Sequence, residues 1–506
     1  MLSFRIQNYS YKIDKLLLFS LIILYILTRI FNLTLLPIFN DEAIHIYWAK
    51  LIASSNKQWF ISLIDGEPPL FIWSIVVFLK LLPSTWYLIA GRLPSVLAGL
   101  VGLLGIYQLA NALFFSKRVA FLSGIFFTIS PFFLFYDRLA SYDSLLSALG
   151  VWSIYFAVKS AQELHIKYFL LWGVVLGLTL LSKASGIIFL FLSIITFFTF
   201  FLKEGQRKKV KHIIYIVFTI ILAEGLHGLL FFSHGYHLYT STGISRYTIP
   251  ISVLLQNPFI VFPRNVHSFY LWIFSYYTWP VLLVGVIGSL YLFFTKQSHI
   301  LLLLFLWLFP VLVVLVTGID PYPRHILFTT PYFFLILAVF IRHIYRLKKF
   351  LVIALFLAMC ILPLYFAILL LFNPPAASLP AVDKNQYITG VPSGYGLEKV
   401  FTFLQKTSAK KHITVITLGT VSLFPYAFNL EFWNNPNVTI IPLWPVTKNT
   451  RQEIIRLSKV TPVYVVLKYN TYQQHKNFMQ ELGLQKKLQS DRPDTKTSIL
   501  LAVPKQ

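Results

Sequence analysis

The stretch Pro68–Leu82, PPLFIWSIVVFLKLL, decides how this chain folds. It is apolar but only about 15 residues long, whereas a helix needs about 20 to cross hydrocarbon. Longer apolar runs surround it, at 15–36, 91–115, 119–136, 144–158, 168–182, 185–202, 212–232, 268–294, 299–317, 325–341 and 350–372. Basic clusters lie between them: Arg5/Lys12/Lys15, Lys117/Arg118, Lys159/Lys167, Lys203 through Lys211, Lys296, and Arg342/Arg346/Lys348/Lys349. If Pro68–Leu82 stops at the membrane interface, every cluster falls on the side of the N-terminus. By the positive-inside bias that side is the cytoplasm. If the segment crosses, all later clusters move outside. The first arrangement is the expectation. The fold class is then an α-helical polytopic membrane protein with about eleven transmembrane helices, each run long enough to span.

Composition agrees. Of 506 residues, 57% are hydrophobic and only 12% charged, against about 25% charged in soluble domains. The net charge of +25 is dispersed over short loops, which argues against nucleic acid as a partner. One cysteine, Cys360, excludes a disulfide framework and a cysteine-based zinc site. No small-residue cleavage site follows the first apolar run, so no cleavable signal peptide is expected.

From Asn373 the apolar runs shorten to strand length: 412–419, 437–444, 462–469 and 498–504. Helical patterns at 396–411, 449–460 and 473–483 alternate with them, as in a small α/β domain. The expected domains are therefore a transmembrane domain, 1–372, and an extracytoplasmic C-terminal α/β domain, 373–506. The first includes an outer loop, 37–90, with interfacial helices at 41–54 and 68–82.

The same topology gathers polar residues at the outer boundary. Asp41 and Glu42 open a helical pattern, where acids complement the helix dipole and where a carboxylate could also serve as a general base. Glu67 precedes two prolines. Arg92 lies in Gly91-Arg92-Leu93-Pro94-Ser95 at a span end, where an arginine can snorkel or bind phosphate. Arg138 lies close to both Asp137 and Asp143, a spacing suited to an Arg–Asp pair. Lys183 departs from the positive-inside bias, so it calls for a local anion. Tyr322-Pro323-Arg324-His325 places a cation at a helix start, against the dipole, and either Asp320 or a bound phosphate would offset it.

In this order the residues resemble a known family. Asp41-Glu42, Glu67–Leu70, Arg92–Ser95, Ser130–Phe133, the Arg138-x4-Asp143 unit, Lys183-x2-Gly186 and Pro323–His325 are similar to motifs of the GT-C glycosyltransferases. Within that fold they resemble the protein O-mannosyltransferases, aminoarabinose transferases and related enzymes that use polyprenyl-phosphate sugars. Gln386–Gly396 resembles the junction before the soluble domain in that group. The resemblance implies a plasma-membrane glycosyltransferase working on the outer face, with a polyprenyl-phosphate-linked sugar as donor and a glycan, lipid or protein as acceptor. It implies Asp41 as general base, assisted by Glu42, and transfer with inversion. Arg92, Lys183 and Arg324 would bind the donor phosphate. Glu67, Arg138, Asp143, Tyr322 and His325 would orient the site. One departure stands out: many relatives carry His or Lys before the paired prolines, and this chain carries Glu67. No cofactor is required by this reading, although an acid there could hold a divalent cation, with His234 and His237 as possible helpers. The competing class is a transporter or flippase of lipid-linked sugars. Transporters place polar residues near mid-membrane on repeated halves, a pattern this sequence lacks.

Overall fold

The computed structural model describes residues 2–201, 209–243, 245–346, 348–419, 422–446, 448–469, 479–493 and 497–505. Most of the Lys203–Lys211 cluster and the start of the 473–483 pattern lie outside these residues. The chain forms two compact units. One comprises Met1–Leu33, Gln58–Ile75 and Arg92–Phe372; the other comprises Thr34–Lys57, Val76–Gly91 and Asn373–Gln506.

The first unit is helical. Among the described residues, seven helices are long and apolar enough to cross a membrane, or eight if one bent pair counts as a single span. Pro323–Tyr345 is the central one, with 83% of its apolar window buried, while Lys349–Phe372 has 28% buried. An apolar side chain left outside the core of such a protein faces lipid, so this contrast separates inner from outer helices. Close approach in the interior requires small residues. At Gly150 an added Cβ would sit 2.1 Å from the Phe189 ring, so the Tyr142–Glu163 helix meets its neighbour only because no side chain intervenes.

Two runs expected as single spans are broken. The 268–294 run is two helices, Phe262–Tyr277 and Trp279–Phe293, meeting at 108°. Pro280 lacks an N–H and collides with the carbonyl four residues back, so the first helix stops at Tyr277 and Thr278 takes φ 62°. The 119–136 run divides at Ser130 into Lys117–Ile129 and Pro131–Tyr136 for the same reason. The short segment behaves as its length dictates. It forms the helix Leu70–Leu81, whose 12 residues extend roughly 18 Å at 1.5 Å per residue, short of the hydrocarbon thickness of about 30 Å.

In the second unit a five-stranded sheet has the order β2-β1-β3-β5-β4. The strands are β1 (Ile413–Leu418), β2 (Val438–Leu443), β3 (Val463–Tyr469), β4 (Leu484–Asp491) and β5 (Ser498–Pro504). β2, β1 and β3 run parallel, and β5 and β4 join antiparallel. β1, β3 and β5 are near-continuous Val/Ile/Leu runs, as strands covered on both faces require. Val465, Leu467, Leu484, Leu500 and Ile454 share one core. The Asn40–Ser55 helix belongs to this unit and packs on the Leu423–Glu431 helix. Its Tyr47 ring lies 4.9 Å from Tyr426 and 6.0 Å from Trp433.

Candidate functional site

The helical unit gathers its charged groups around the Lys183 ammonium. A β-region Lys183 (φ −158°) separates the Ile166–Ser182 helix from a 3-10 turn at Ala184–Gly186. Its Nζ donates to Asp143 Oδ1 at 2.7 Å. Asp143 stands in the first turn of the Tyr142–Glu163 helix, and its other carboxylate oxygen accepts from Ser141 Oγ. Both side chains are largely buried, 14% exposed for Lys183 and 3% for Asp143. Water screens this pair far less than a surface one.

Arg324 reaches the same field from the 3-10 turn Pro323–Thr329, which packs against the Tyr142–Glu163 helix. Its guanidinium lies 5.1 Å from the Tyr322 ring centre. His325 Nδ1 accepts from the Tyr322 backbone N–H at 3.3 Å, closing that turn. Asp320 does not offset Arg324 through a salt bridge; it pairs with Arg264 at 3.4 Å.

Glu67 completes the cluster. Gly66 ends the Ile61–Asp65 turn with φ 76°, a conformation glycine adopts freely. The Glu67 N–H then donates to the Ser62 carbonyl at 3.2 Å. Pro68 follows, which keeps Glu67 out of helical geometry. Its Oε2 is buried and has no hydrogen-bond partner among the described residues. Burial raises the Glu67 pKa to about 7; Lys183 and Arg324 pull it down, and Asp143 and Asp65 push it up. Asp65 itself pairs with Arg246. Tyr239 and Tyr247 complete this border; burial, followed by the Glu67 charge, pushes each hydroxyl up to about 12.

The two remaining arginines bond to backbone carbonyls. Arg138 does not pair with Asp143. Its Nη1 donates to the carbonyls of Thr28 (3.0 Å), Arg29 (2.9 Å) and Phe31 (2.7 Å), and its Nη2 to Asn32 (2.8 Å). Thr28 and Arg29 carry orphan acceptors at the end of the Leu2–Ile30 helix, Phe31 and Asn32 lie in the turn after it, and a cation there complements the dipole. Arg92, fully buried, donates to the Leu33 carbonyl at 2.6 Å. Asp137 pairs with Arg29 at 3.5 Å, with both side chains fully buried, and accepts from Tyr25 (2.9 Å) and Ser144 (2.8 Å). Arg29 went unremarked as a site residue in the sequence because it sits inside the first apolar run.

Asp41 and Glu42 lie in the other unit, in the first turn of the Asn40–Ser55 helix. Glu42 is fully buried and accepts from the Phe39 N–H at 3.2 Å, the glutamate half of a capping box. Asp41 is half-buried and accepts from Asn40 Nδ2 at 3.1 Å. The turn is anchored by the junction Tyr387–Gly396. The Asn40 N–H donates to the Pro392 carbonyl at 3.0 Å. The Phe39 ring lies 4.3 Å from Tyr387, and a Cβ at Gly394 would stand 2.0 Å from the Ile38 carbonyl oxygen.

Among the described residues, no three His, Cys, Asp or Glu side chains gather as a metal site. A metal at Glu67 would also face two cations, Lys183 and Arg324, so the donor set is a poor fit for one. His234 and His237 are exposed.

Residues 66–225 match the family model of dolichyl-phosphate-mannose-protein mannosyltransferases. No curated protein matches the sequence. Among solved structures, apo ArnT from Cupriavidus metallidurans is similar over 97% of this chain and 98% of its own, at 12% identity and a TM-score of 0.59. The same protein bound to undecaprenyl phosphate is similar over 96% of this chain and 97% of its own, at 11% identity and a TM-score of 0.58. The chain thus shares the fold of ArnT, and its segment 66–225 is similar to the protein mannosyltransferase family.

Proposed function

We propose that the protein transfers a sugar from a polyprenyl-phosphate donor to an acceptor hydroxyl, with inversion, on the outer face of the plasma membrane. The observation that carries this reading is the buried Lys183–Asp143 pair, with Arg324 and Glu67 sharing its field. Three of these four residues lie within the segment matching the mannosyltransferase family. A solved relative of the same fold binds undecaprenyl phosphate, which supports a donor of that chemistry.

In the proposed step the acceptor oxygen attacks the anomeric carbon as the bond from that carbon to the phosphate oxygen breaks. The acceptor proton passes to the Asp41 carboxylate. The phosphate leaves with one more negative charge than it carried in the donor, so cations stabilise the transition state more than the ground state. Lys183 and Arg324 supply that charge, and Asp143 fixes the Lys183 ammonium in place. Arg92, whose position suggested phosphate binding, is assigned with Arg138 to holding the end of the first helix. Glu42 holds the turn that presents Asp41.

The test is transfer by the purified protein in lipid vesicles, supplied with polyprenyl-phosphate-linked sugars and analysed by mass spectrometry of the acceptor. Glycosylated acceptor and free polyprenyl phosphate in equal amounts are the expected products. Movement of the donor between leaflets without any bond cleavage would instead establish a flippase.

A further inference from the structure

Charge balance around Lys183 poses a problem for any bound phosphate. Asp143 already holds Lys183, and Asp65 already holds Arg246. Glu67 is the third acid in the cluster, it has an orphaned buried oxygen, and it lies in the fields of Lys183 and Arg324. An ionised Glu67 therefore competes with an incoming anion for the same two cations. It also repels that anion, because like charges in a poorly screened site disfavour one another.

Resting on the function proposed above, we propose that Glu67 takes up one proton when the donor phosphate seats on Lys183 and Arg324. Its neutral carboxyl then donates a hydrogen bond to that phosphate. The proton comes from solvent. It resides on a Glu67 carboxyl oxygen, so the acid changes from a competitor into a donor. Oε2, which has no partner among the described residues, is the natural point of contact.

The surroundings favour this exchange. Lys183, between two helical segments, and Arg324, on the late 3-10 turn, pull the Glu67 proton off. Asp143 on the Tyr142–Glu163 helix and Asp65 on the preceding turn keep it on. Tyr239, Tyr247 and Arg246 face it from the loop after residue 235, and none of them is anionic at neutral pH. Its pKa of about 7 leaves it balanced between the two states, and a phosphate anion tips the balance towards the protonated form. Binding and proton uptake are then linked: affinity for the anion falls about tenfold per pH unit above about pH 7, and levels off below it.

The experiment measures binding of a polyprenyl methyl phosphate to the full chain in detergent, between about pH 6 and pH 8.5. This probe is a phosphodiester and keeps one charge throughout, unlike a phosphate monoester, whose second pKa is near 6. Calorimetry in two buffers of different ionisation enthalpy counts the protons taken up. Wild type is expected to take up close to one proton at pH 8 and to lose affinity with rising pH. Glu67→Gln is expected to bind with little pH dependence and no proton uptake. A pH-independent wild type, or an E67Q protein that keeps the full slope, overturns the inference. If E67Q does not fold, the proton count on wild type decides alone. Failure of the probe to bind at any pH would instead strike the proposed function itself.

Discussion

The Lys183 ammonium lies 2.7 Å from the Asp143 carboxylate, with both groups withdrawn from solvent, Asp143 in the first turn of one helix and Lys183 just past the end of the next. Removing one partner of such a pair leaves the other as an uncompensated buried charge. Asp143→Ala is therefore expected to cost about 3–5 kcal/mol, read as a lowered unfolding temperature in detergent. Asp143→Asn should cost less, because it still accepts a hydrogen bond from Lys183. Lys183→Met should retain most of its stability only with Asp143→Asn alongside, and neither protein should transfer sugar at a measurable fraction of the wild-type rate.

Asp41→Asn separates chemistry from binding. Loss of a general base is expected to reduce transfer by roughly 10²–10⁴-fold. Donor affinity, measured with the phosphodiester probe, should stay unchanged. Undiminished transfer removes Asp41 as the base.

The arginines at the end of the first helix should behave structurally. Arg138 satisfies four carbonyls, so Arg138→Ala is expected to destabilise the fold by roughly 3 kcal/mol or more, at about 1.5–3 kcal/mol per charged hydrogen bond. Arg138→Lys should rescue little, because a single ammonium cannot span the same acceptors. For Arg92→Gln, a reduced yield of folded protein with normal donor affinity in the folded fraction supports the positioning assignment. A selective loss of donor affinity would return Arg92 to the phosphate.

Stability should depend on pH through Glu67. Its carboxyl titrates near 4.5 in an unfolded chain and near 7 in the fold. The folded protein therefore holds this proton more tightly between those values. The associated stabilisation is complete below about 4.5 and is lost as pH rises through about 7. Thermal unfolding at pH 5 and pH 8 should show a larger drop in wild type than in Glu67→Gln.

The helical unit was largely legible because hydrophobic runs of span length are a strong signal. The breaks at Ser130 and Thr278 were written in Pro131 and Pro280, yet each lies inside a run whose apolarity masks it. In the sheet domain β1, β2, β3 and β5 were legible as strand-length apolar runs. β4, LQKKLQSD, was not: it is an edge strand, and charged side chains on an edge are what discourages unwanted pairing. The Leu423–Glu431 helix was hidden by its shortness and by Pro425. At the site, the departure of Lys183 from the positive-inside bias called for a local anion, and Asp143 is the acid it meets. Spacing along the chain suggested that Arg138 would pair with Asp137 or Asp143. The structure sends Arg138 to the carbonyls of the first helix, an acceptor set that side-chain types alone do not reveal. The orphaned oxygen of Glu67 is likewise a matter of three-dimensional surroundings.

The hydrogen bond from Asn40 to Pro392 has a consequence for biogenesis. The turn bearing Asp41 emerges from the ribosome early, but its anchor is made only after the last apolar helix has been synthesised. A nascent or truncated chain that ends near residue 372 can complete its helices and still leave that turn untethered. The protein therefore gains its competence late, and shortening it to the helical portion should yield an inert product.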